Sequence, residues 1–316
     1  MKNVIVICGA TATSKTKFAV ALAEKLNTEV VSADCMLVYR GLDIGTAKPT
    51  KEEMRGVPHH LIDVAAPNER FSVGDYRTAA LPVTEKLLAE GKQPIICGGT
   101  GFYIDSLLYE SAFGSAGASE EIRAKYAAVL NDAGKEAGAA YLHRLLTKVD
   151  PESAAILHVN DVKRVIRALE IYELTGKKKS EQNDTKTPRF PFRALAVGFP
   201  REELYRRIDA RVDDMFSRGL VGEVEGLLKS GVSPSSQCMQ GIGYKELIPV
   251  VMGQGDVDRA VWDIIVHTRH YAKRQGTWFR AETRCVWLDA CDSDALFDRA
   301  MEHVQAFWND AKEQDE

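Results

Sequence analysis

No stretch of this sequence stays apolar for the roughly 18 residues that a membrane-spanning helix requires, so a membrane is not among its expected partners. The first apolar run, Val4-Ile5-Val6-Ile7-Cys8, breaks at Gly9 and passes into polar residues. That excludes it as a signal-peptide core. The six cysteines, at 8, 35, 97, 238, 285 and 291, show neither a CxxC pair nor Cys/His ligand spacing. They read as reduced thiols of a cytoplasmic protein, not as a disulfide framework or zinc ligands. Internal repeats and long Pro/Ser-rich linkers are missing too. Neither sign of charge dominates: 41 basic side chains face 45 acidic ones, a formal charge of −4. A nucleic-acid partner would therefore have to be held by a local basic face on an acidic body.

What is present is 316 residues, 45% hydrophobic, enough for one large domain or two smaller ones with a sizeable core. Short apolar runs at Asn3 to Cys8, Glu29 to Ser32 and Pro94 to Cys97 alternate with helical patterns at Lys15 to Leu26 and Thr84 to Glu90. That alternation predicts a parallel sheet with crossover helices. Between about Ala112 and Thr187 only helical patterns occur, at Ser119 to Ala133, Glu136 to Val149, Pro151 to Leu157 and Asp161 to Leu174. A strand returns at Ala194 to Gly198, and a last one spans Cys285 to Leu288. The expected architecture is an α/β core over 1–112 and 188–316, interrupted by an all-helical insertion over 113–187.

Between the first strand and first helix lies Gly9-Ala10-Thr11-Ala12-Thr13-Ser14-Lys15-Thr16. It matches the phosphate-loop pattern GxxxxGK[ST] at every fixed position but one, where Ser14 stands for glycine. Backbone N–H groups of such a loop converge with the helix N-terminus on an anion. Lys15 would neutralise a bridging oxygen, and the Thr16 hydroxyl would help to hold Mg²⁺. Serine at 14 costs about 1 kcal/mol if φ there is positive. The loop alone does not name a reaction, since kinases, NTPases and group transferases share it.

The second strand ends at Ser32-Ala33-Asp34. Open parallel sheets bind ligands at the carboxyl ends of their strands, so Asp34 should face the same crevice as Lys15. A carboxylate there can accept a proton from a nucleophile or hold Mg²⁺ through water. The plainer reading is a helix N-cap. Further along come Asp43-Ile44-Gly45-Thr46-Ala47-Lys48-Pro49, Pro58-His59-His60-Leu61-Ile62-Asp63 and Gly98-Gly99-Thr100-Gly101-Phe102-Tyr103. Arg207-Ile208-Asp209-Ala210-Arg211, Ala272-Lys273-Arg274-Gln275 and Thr277-Trp278-Phe279-Arg280 complete the set. Together with the phosphate loop, these strings resemble the tRNA dimethylallyltransferase (tRNA isopentenyltransferase) family, in order, from Val4 to about Arg280. No zinc-finger pattern follows Arg280, which points to the family's bacterial form.

The resemblance implies a nucleoside-triphosphate-hydrolase-like P-loop core, with the nucleotide- and ATP-binding loop of relatives turned to a prenyl donor. It implies transfer of a dimethylallyl group from dimethylallyl diphosphate to the exocyclic amine of the adenosine 3′ to the anticodon, with pyrophosphate released. Asp34 matches the general base, Thr16 the hydroxyl near the bridging oxygen and metal, and Arg211 the arginine that stabilises the leaving group. Residues 9–16 would hold the donor diphosphate, with Mg²⁺ as cofactor. The tRNA contacts implied are Asp34, Cys35, Met36, Leu37, Thr100, Arg123, Lys163, Arg164, Arg167, Gln240, Gly241, Ile242, Gly243, Tyr244 and Lys245. The chain departs from the family at Ala10, Ser14, Cys35 and Leu37, where proline, glycine, serine and glutamine are usual.

Physical chemistry agrees with that assignment. From Asp161 to Arg211 the chain carries 13 basic and 8 acidic residues, a local positive excess in an acidic protein. Lys163 and Arg167 are four apart and share a helix face, so the insertion is expected to grip the anticodon stem-loop of tRNA. From His267 to Arg280 there is no acidic residue at all. Chemistry on a stacked base needs the base unstacked into a pocket. A monomer is expected. Competing readings are a P-loop small-molecule or nucleotide kinase, an isopentenyltransferase for free adenine nucleotides, and a non-catalytic RNA-binding relative.

Overall fold

The computed structural model describes residues 3–110, 117–182, 186–282 and 285–315. The expected junction between 112 and 113 lies outside these residues. The chain divides into two compact units, one of Met1–Tyr109 with Pro188–Glu316 and one of Glu110–Thr187.

The first unit opens with β1 (Val4–Gly9), α1 (Lys15–Leu26), β2 (Val30–Ser32), α2 (Lys51–Met54), β3 (His59–His60), α3 (Val73–Ala89), β4 (Ile95–Cys97) and α4 (Gly101–Leu108). The second unit holds α5 (Glu120–Ala133), α6 (Lys135–Val149), α7 (Pro151–Ile156) and α8 (Val162–Thr175). The first unit then resumes with β5 (Phe192–Gly198), α9 (Arg201–Ser217), α10 (Leu220–Lys229), α11 (Ile248–Val251), α12 (Val257–Ala281), β6 (Cys285–Asp289) and α13 (Ser293–Asp315).

All pairings in the six-stranded sheet are parallel, in the order β3-β2-β4-β1-β5-β6. β1 reads as one continuous apolar run because both of its faces are covered. Val4, Val6 and Cys8 belong to the core that includes α3 and α4 residues such as Tyr76 and Leu107. Ile5 and Ile7 face the core built with Phe18 and Leu22 of α1 and Leu296, Ala300 and Val304 of α13. Strands running one way bring the loops after β1, β2 and β4 to one edge of the sheet, where ligands of such folds sit.

Two local features differ from the sequence reading. Thr84 to Glu90 closes a helix as expected, but that helix, α3, starts at Val73, behind a capping box between Ser72 and Asp75 that the sequence reading did not mark. Pro82 inside that helix breaks the propensity pattern, and tertiary packing of Tyr76, Ala80, Leu87 and Leu88 carries it. β3 is a two-residue edge strand of histidines, too short and polar to signal itself.

The helical unit has its own core of Tyr126, Leu142, Leu146, Ala154, Val165, Ala168 and Leu169. Among its described residues there is no strand. Asp150, fully buried, caps α7 by accepting from the Ser153 N–H at 3.1 Å and also accepts from the Ser180 N–H at 3.1 Å. Burial alone would raise its pKa; the hydrogen bonds from Ser153 and Ser180 outweigh it and hold the carboxyl at about 2, against an ordinary 3.8. A depressed carboxylate stabilises the folded state above its unfolded pKa, and that stabilisation disappears as the pH falls towards the folded value. Asp150→Ala is therefore expected to destabilise this unit by about 2 kcal/mol at pH 7. The difference from wild type should shrink between pH 4 and pH 2 in urea titrations followed by circular dichroism; a pH-independent difference would refute the charge assignment.

Candidate active site

The strand ends are laced together by backbone. The Ala33 N–H donates to Cys97 O at 2.8 Å, the Gly98 N–H to Ile7 O at 3.1 Å, and the Thr100 N–H to Ala33 O at 3.1 Å. A Cβ on Gly98 would lie 2.1 Å from Ala33 O, so only glycine permits this approach. The loops carrying Lys15, Asp34 and Thr100 thus start from one hydrogen-bonded edge.

The phosphate loop turns through positive φ at Gly9 (135°), Ala12 (62°) and Ser14 (60°). Ser14 is therefore in the left-handed region, at a cost of about 1 kcal/mol. Its hydroxyl accepts a 2.6 Å hydrogen bond from Arg207, whose Nε also donates to Ala12 O at 2.9 Å. That bond to a charged group, screened by solvent at this exposed position, works against the strain. Lys15 Nζ donates to Ala10 O at 2.5 Å. Thr16 is half-buried in the first turn of α1.

Two loop residues are held by neighbours in the fold. Thr11 spends its N–H on Gln275 Oε1 at 2.8 Å and its hydroxyl on Arg211, and Thr13, buried, donates its hydroxyl to Ala10 O at 2.9 Å. These groups shape the loop. Gln275 also donates to Gly99 O at 2.9 Å, so this buried amide ties the loop to the β4–α4 turn. Neither Gln275 nor Arg207 received a role from sequence. The usable signal was that Arg207 precedes Arg211 by one helical turn on α9.

Charge is concentrated at this edge. Burial pushes the Lys15 ammonium below its ordinary value, and Arg211 adds to the depression while Asp34 opposes it. Arg211 is likewise lowered by burial and by Arg207, again opposed by Asp34. Asp34 therefore shares an electrostatic neighbourhood with both cations. Its Oδ1 accepts from the Met36 N–H at 2.9 Å, which fixes the carboxylate against its own loop. Cys35 donates its N–H to Thr100 Oγ1 at 3.0 Å. Burial pushes the Cys35 thiol up to about 11, so it stays protonated at neutral pH and is no nucleophile. Asp34, Cys35, Met36, Leu37 and Thr100 are all half-buried, so part of each is open to a ligand.

An IPP transferase family model matches residues 37–282 of this sequence. The chain belongs to the IPP transferase family. The match begins after the phosphate loop, but whole-chain relatives extend the likeness across it. A tRNA dimethylallyltransferase of Acetivibrio thermocellus is 45% identical over 97% of this chain and 98% of its own. One from Heliobacterium modesticaldum is 43% identical over 95% and 94%. The crystal structure of tRNA isopentenylpyrophosphate transferase from Bacillus halodurans superposes with a TM-score of 0.75 at 38% identity, covering 100% of this chain and 99% of that one. A eukaryotic dimethylallyltransferase acting on tRNA gives 0.82 at 30% identity, covering 99% and 80%. The P-loop-type α/β core with a helical insertion is therefore a property this IPP transferase shares with its structural neighbours.

The string most diagnostic of the resemblance, Asp43 to Pro49, is architectural in this member. The Glu223 carboxylate accepts from the N–H groups of Asp43, Ile44 and Gly45 at 2.9, 2.7 and 3.0 Å and from the Tyr244 hydroxyl at 2.6 Å. Lys48, buried, donates to Tyr39 O and to the carboxylates of Asp43 and Asp63. Tyr244, expected among the RNA contacts, is wholly buried, so its ring offers no surface for stacking. Gln240 and Lys245 remain exposed and Gly241 and Ile242 half-exposed, while Gly243 is buried and turns at φ 97°. Met36 packs on Gly241, where a Cβ would lie 2.4 Å from its methyl carbon.

Two expected RNA-contact arginines of the helical unit have a partner within it. Arg123 and Arg167 both pair with the fully buried Glu170, at 2.8 and 2.6 Å, and Arg167 also donates to Gly117 O. Burial raises the Glu170 pKa, and the bonds from Arg167, Ser119 and Arg123 reverse that to a net lowering. These two arginines together balance the buried Glu170 charge, so losing both would strand it. Lys163 and Arg164 are the exposed cations of α8, Arg164 with an Asp161 partner at 3.2 Å.

Proposed function

We propose that this chain transfers a dimethylallyl group from dimethylallyl diphosphate to the exocyclic amine of the adenosine next to the anticodon of tRNA, on its 3′ side. The supporting observation is the joint one: near-complete likeness to curated tRNA dimethylallyltransferases, together with Asp34, Lys15 and Arg211 acting on one another at the sheet edge.

In the proposed step the adenine nitrogen forms a bond to the allylic carbon, and the carbon–oxygen bond to diphosphate breaks. The pair of electrons leaves with pyrophosphate, and the amine proton passes to Asp34. The adenine lone pair is delocalised into the ring, so proton removal during attack raises its nucleophilicity. Lys15 and Arg211, both partly desolvated, balance the charge that grows on the leaving group. Thr16 and, through water, Asp34 offer hydroxyl and carboxylate oxygens, a donor set that suits Mg²⁺. Bound there with the diphosphate, the metal would add positive charge at the leaving group. Asp34, Cys35, Met36, Leu37, Thr100, Arg123, Arg167, Gly241 and Ile242, all partly exposed, and the exposed Gln240, Lys245, Lys163 and Arg164 are the accessible RNA-contact candidates, and the protein works in the cytoplasm as a monomer.

Mass analysis of tRNA after incubation with protein, dimethylallyl diphosphate and Mg²⁺ tests the reading. Addition of one dimethylallyl unit to a single adenosine beside the anticodon is expected. Unmodified tRNA, with AMP prenylated instead or with phosphate transferred from ATP, would overturn it.

A further inference from the structure

Phe102 follows the Thr100-Gly101 turn at the start of α4 and is 50% exposed. Its ring leans on Trp278 of α12, with centroids 4.6 Å apart and planes inclined by 54°. Trp278 in turn covers Gly101, where a Cβ would sit 2.2 Å from the indole nitrogen. The Phe102 ring is thus backed by a fixed aromatic wall and turns its remaining surface outward, one residue beyond the site turn.

Cations border it. Positions 267, 271, 274 and 278 of α12 fall on one helix face. Trp278 of this face lies on Gly101, so the face runs beside the Thr100 turn. Arg274, exposed, stands between Tyr271 and Trp278 with its guanidinium 5.7 Å from the Tyr271 ring centre. Lys273 and Arg280 are exposed on other faces of α12, Arg280 with its guanidinium 5.2 Å from the Trp287 ring centre, and the segment from His267 to Arg280 contains no acidic residue. A half-open aromatic ring flanked by cations is how proteins hold unpaired nucleotides: a base stacks on the ring and its phosphate meets the charge. A prenyl chain, by contrast, would gain nothing from Arg274 and would want an enclosed wall.

We infer that Phe102 is a stacking platform for a base adjacent to the target adenosine, with Arg274 binding the adjoining phosphate. This rests on the proposed use of tRNA as acceptor. The ring leaves the reacting atoms alone and holds the strand open beside them.

Fluorescence anisotropy with the full-length protein and a labelled anticodon stem-loop tests it. Phe102→Ala should raise Kd about ten-fold, the loss of one base–aromatic stack, with KM for dimethylallyl diphosphate and the thermal unfolding midpoint unchanged; Phe102→Trp should bind like wild type. Stem-loops with an abasic residue on one or other side of the target add a positional readout. Wild type should lose about ten-fold on one of them, and the Phe102→Ala protein should lose nothing further on that RNA. Arg274→Ala should lower the slope of log K against log salt by about 0.7. Unchanged affinity in Phe102→Ala, or fully additive losses with the abasic RNAs, overturns the inference. A raised donor KM also overturns it and gives the ring to the prenyl chain. Wild-type protein that binds no stem-loop would instead refute the acceptor itself.

Discussion

Asparagine in place of Asp34 is expected to lower turnover by about 10²–10⁴-fold, the range that a positioned general base supplies, while KM for the prenyl donor stays at the wild-type value. The substitution is nearly isosteric and keeps the acceptor for the Met36 N–H, so the loop after β2 should hold its shape. What disappears is the charge that takes the amine proton. Because that charge also opposes the depression of Lys15 and Arg211, the variant tests electrostatic coupling as well. Single-turnover rates with saturating tRNA isolate the chemical step. A wild-type rate in Asp34→Asn would remove the carboxylate from proton transfer. A raised donor KM with normal turnover would make it a binding group.

The second large effect is on stability. Glu223→Ala leaves three backbone N–H groups and the buried Tyr244 hydroxyl without their acceptor. Each stranded buried donor costs about 1–3 kcal/mol, although part of this cluster reaches solvent. A loss on the order of 3 kcal/mol is expected in urea titrations, with Glu223→Gln losing less because its amide oxygen still accepts. A midpoint like that of wild type in the alanine variant would mean that the segment from Asp43 to Pro49 holds itself. Tyr244→Phe removes a single donor and should cost about 1 kcal/mol by the same measurement. That contrast separates the carboxylate from the ring.

These cases show where sequence was informative. The phosphate loop was legible because a strand, eight consecutive residues and a helix carry it, all local in the chain. Asp34 was legible because parallel strands must end at one edge. By contrast, Glu223 lies on α10, far along the chain from the loop it organises, and an isolated glutamate on a helix looks solvated. Gln275 is a similar case, crossing from α12 to two loops. Arg167 read as part of a basic face with Lys163 because Glu170, one charge among many, gives no sign of being buried until α5 and α8 pack. Tyr244 read as a contact for the opposite reason: its glycine neighbours suggest an exposed turn, whereas the ring fills the core beneath it.

Sequence by itself determined the alternation of strands and helices, the phosphate loop, the helical insertion and the family. Each is written in neighbouring residues or in periodicity, which backbone geometry translates directly. Only the tertiary structure decided which polar groups are consumed in holding the site and which are left to meet a substrate. A hydrogen bond between residues far apart in the chain has no local signature, and burial is a property of the packed whole.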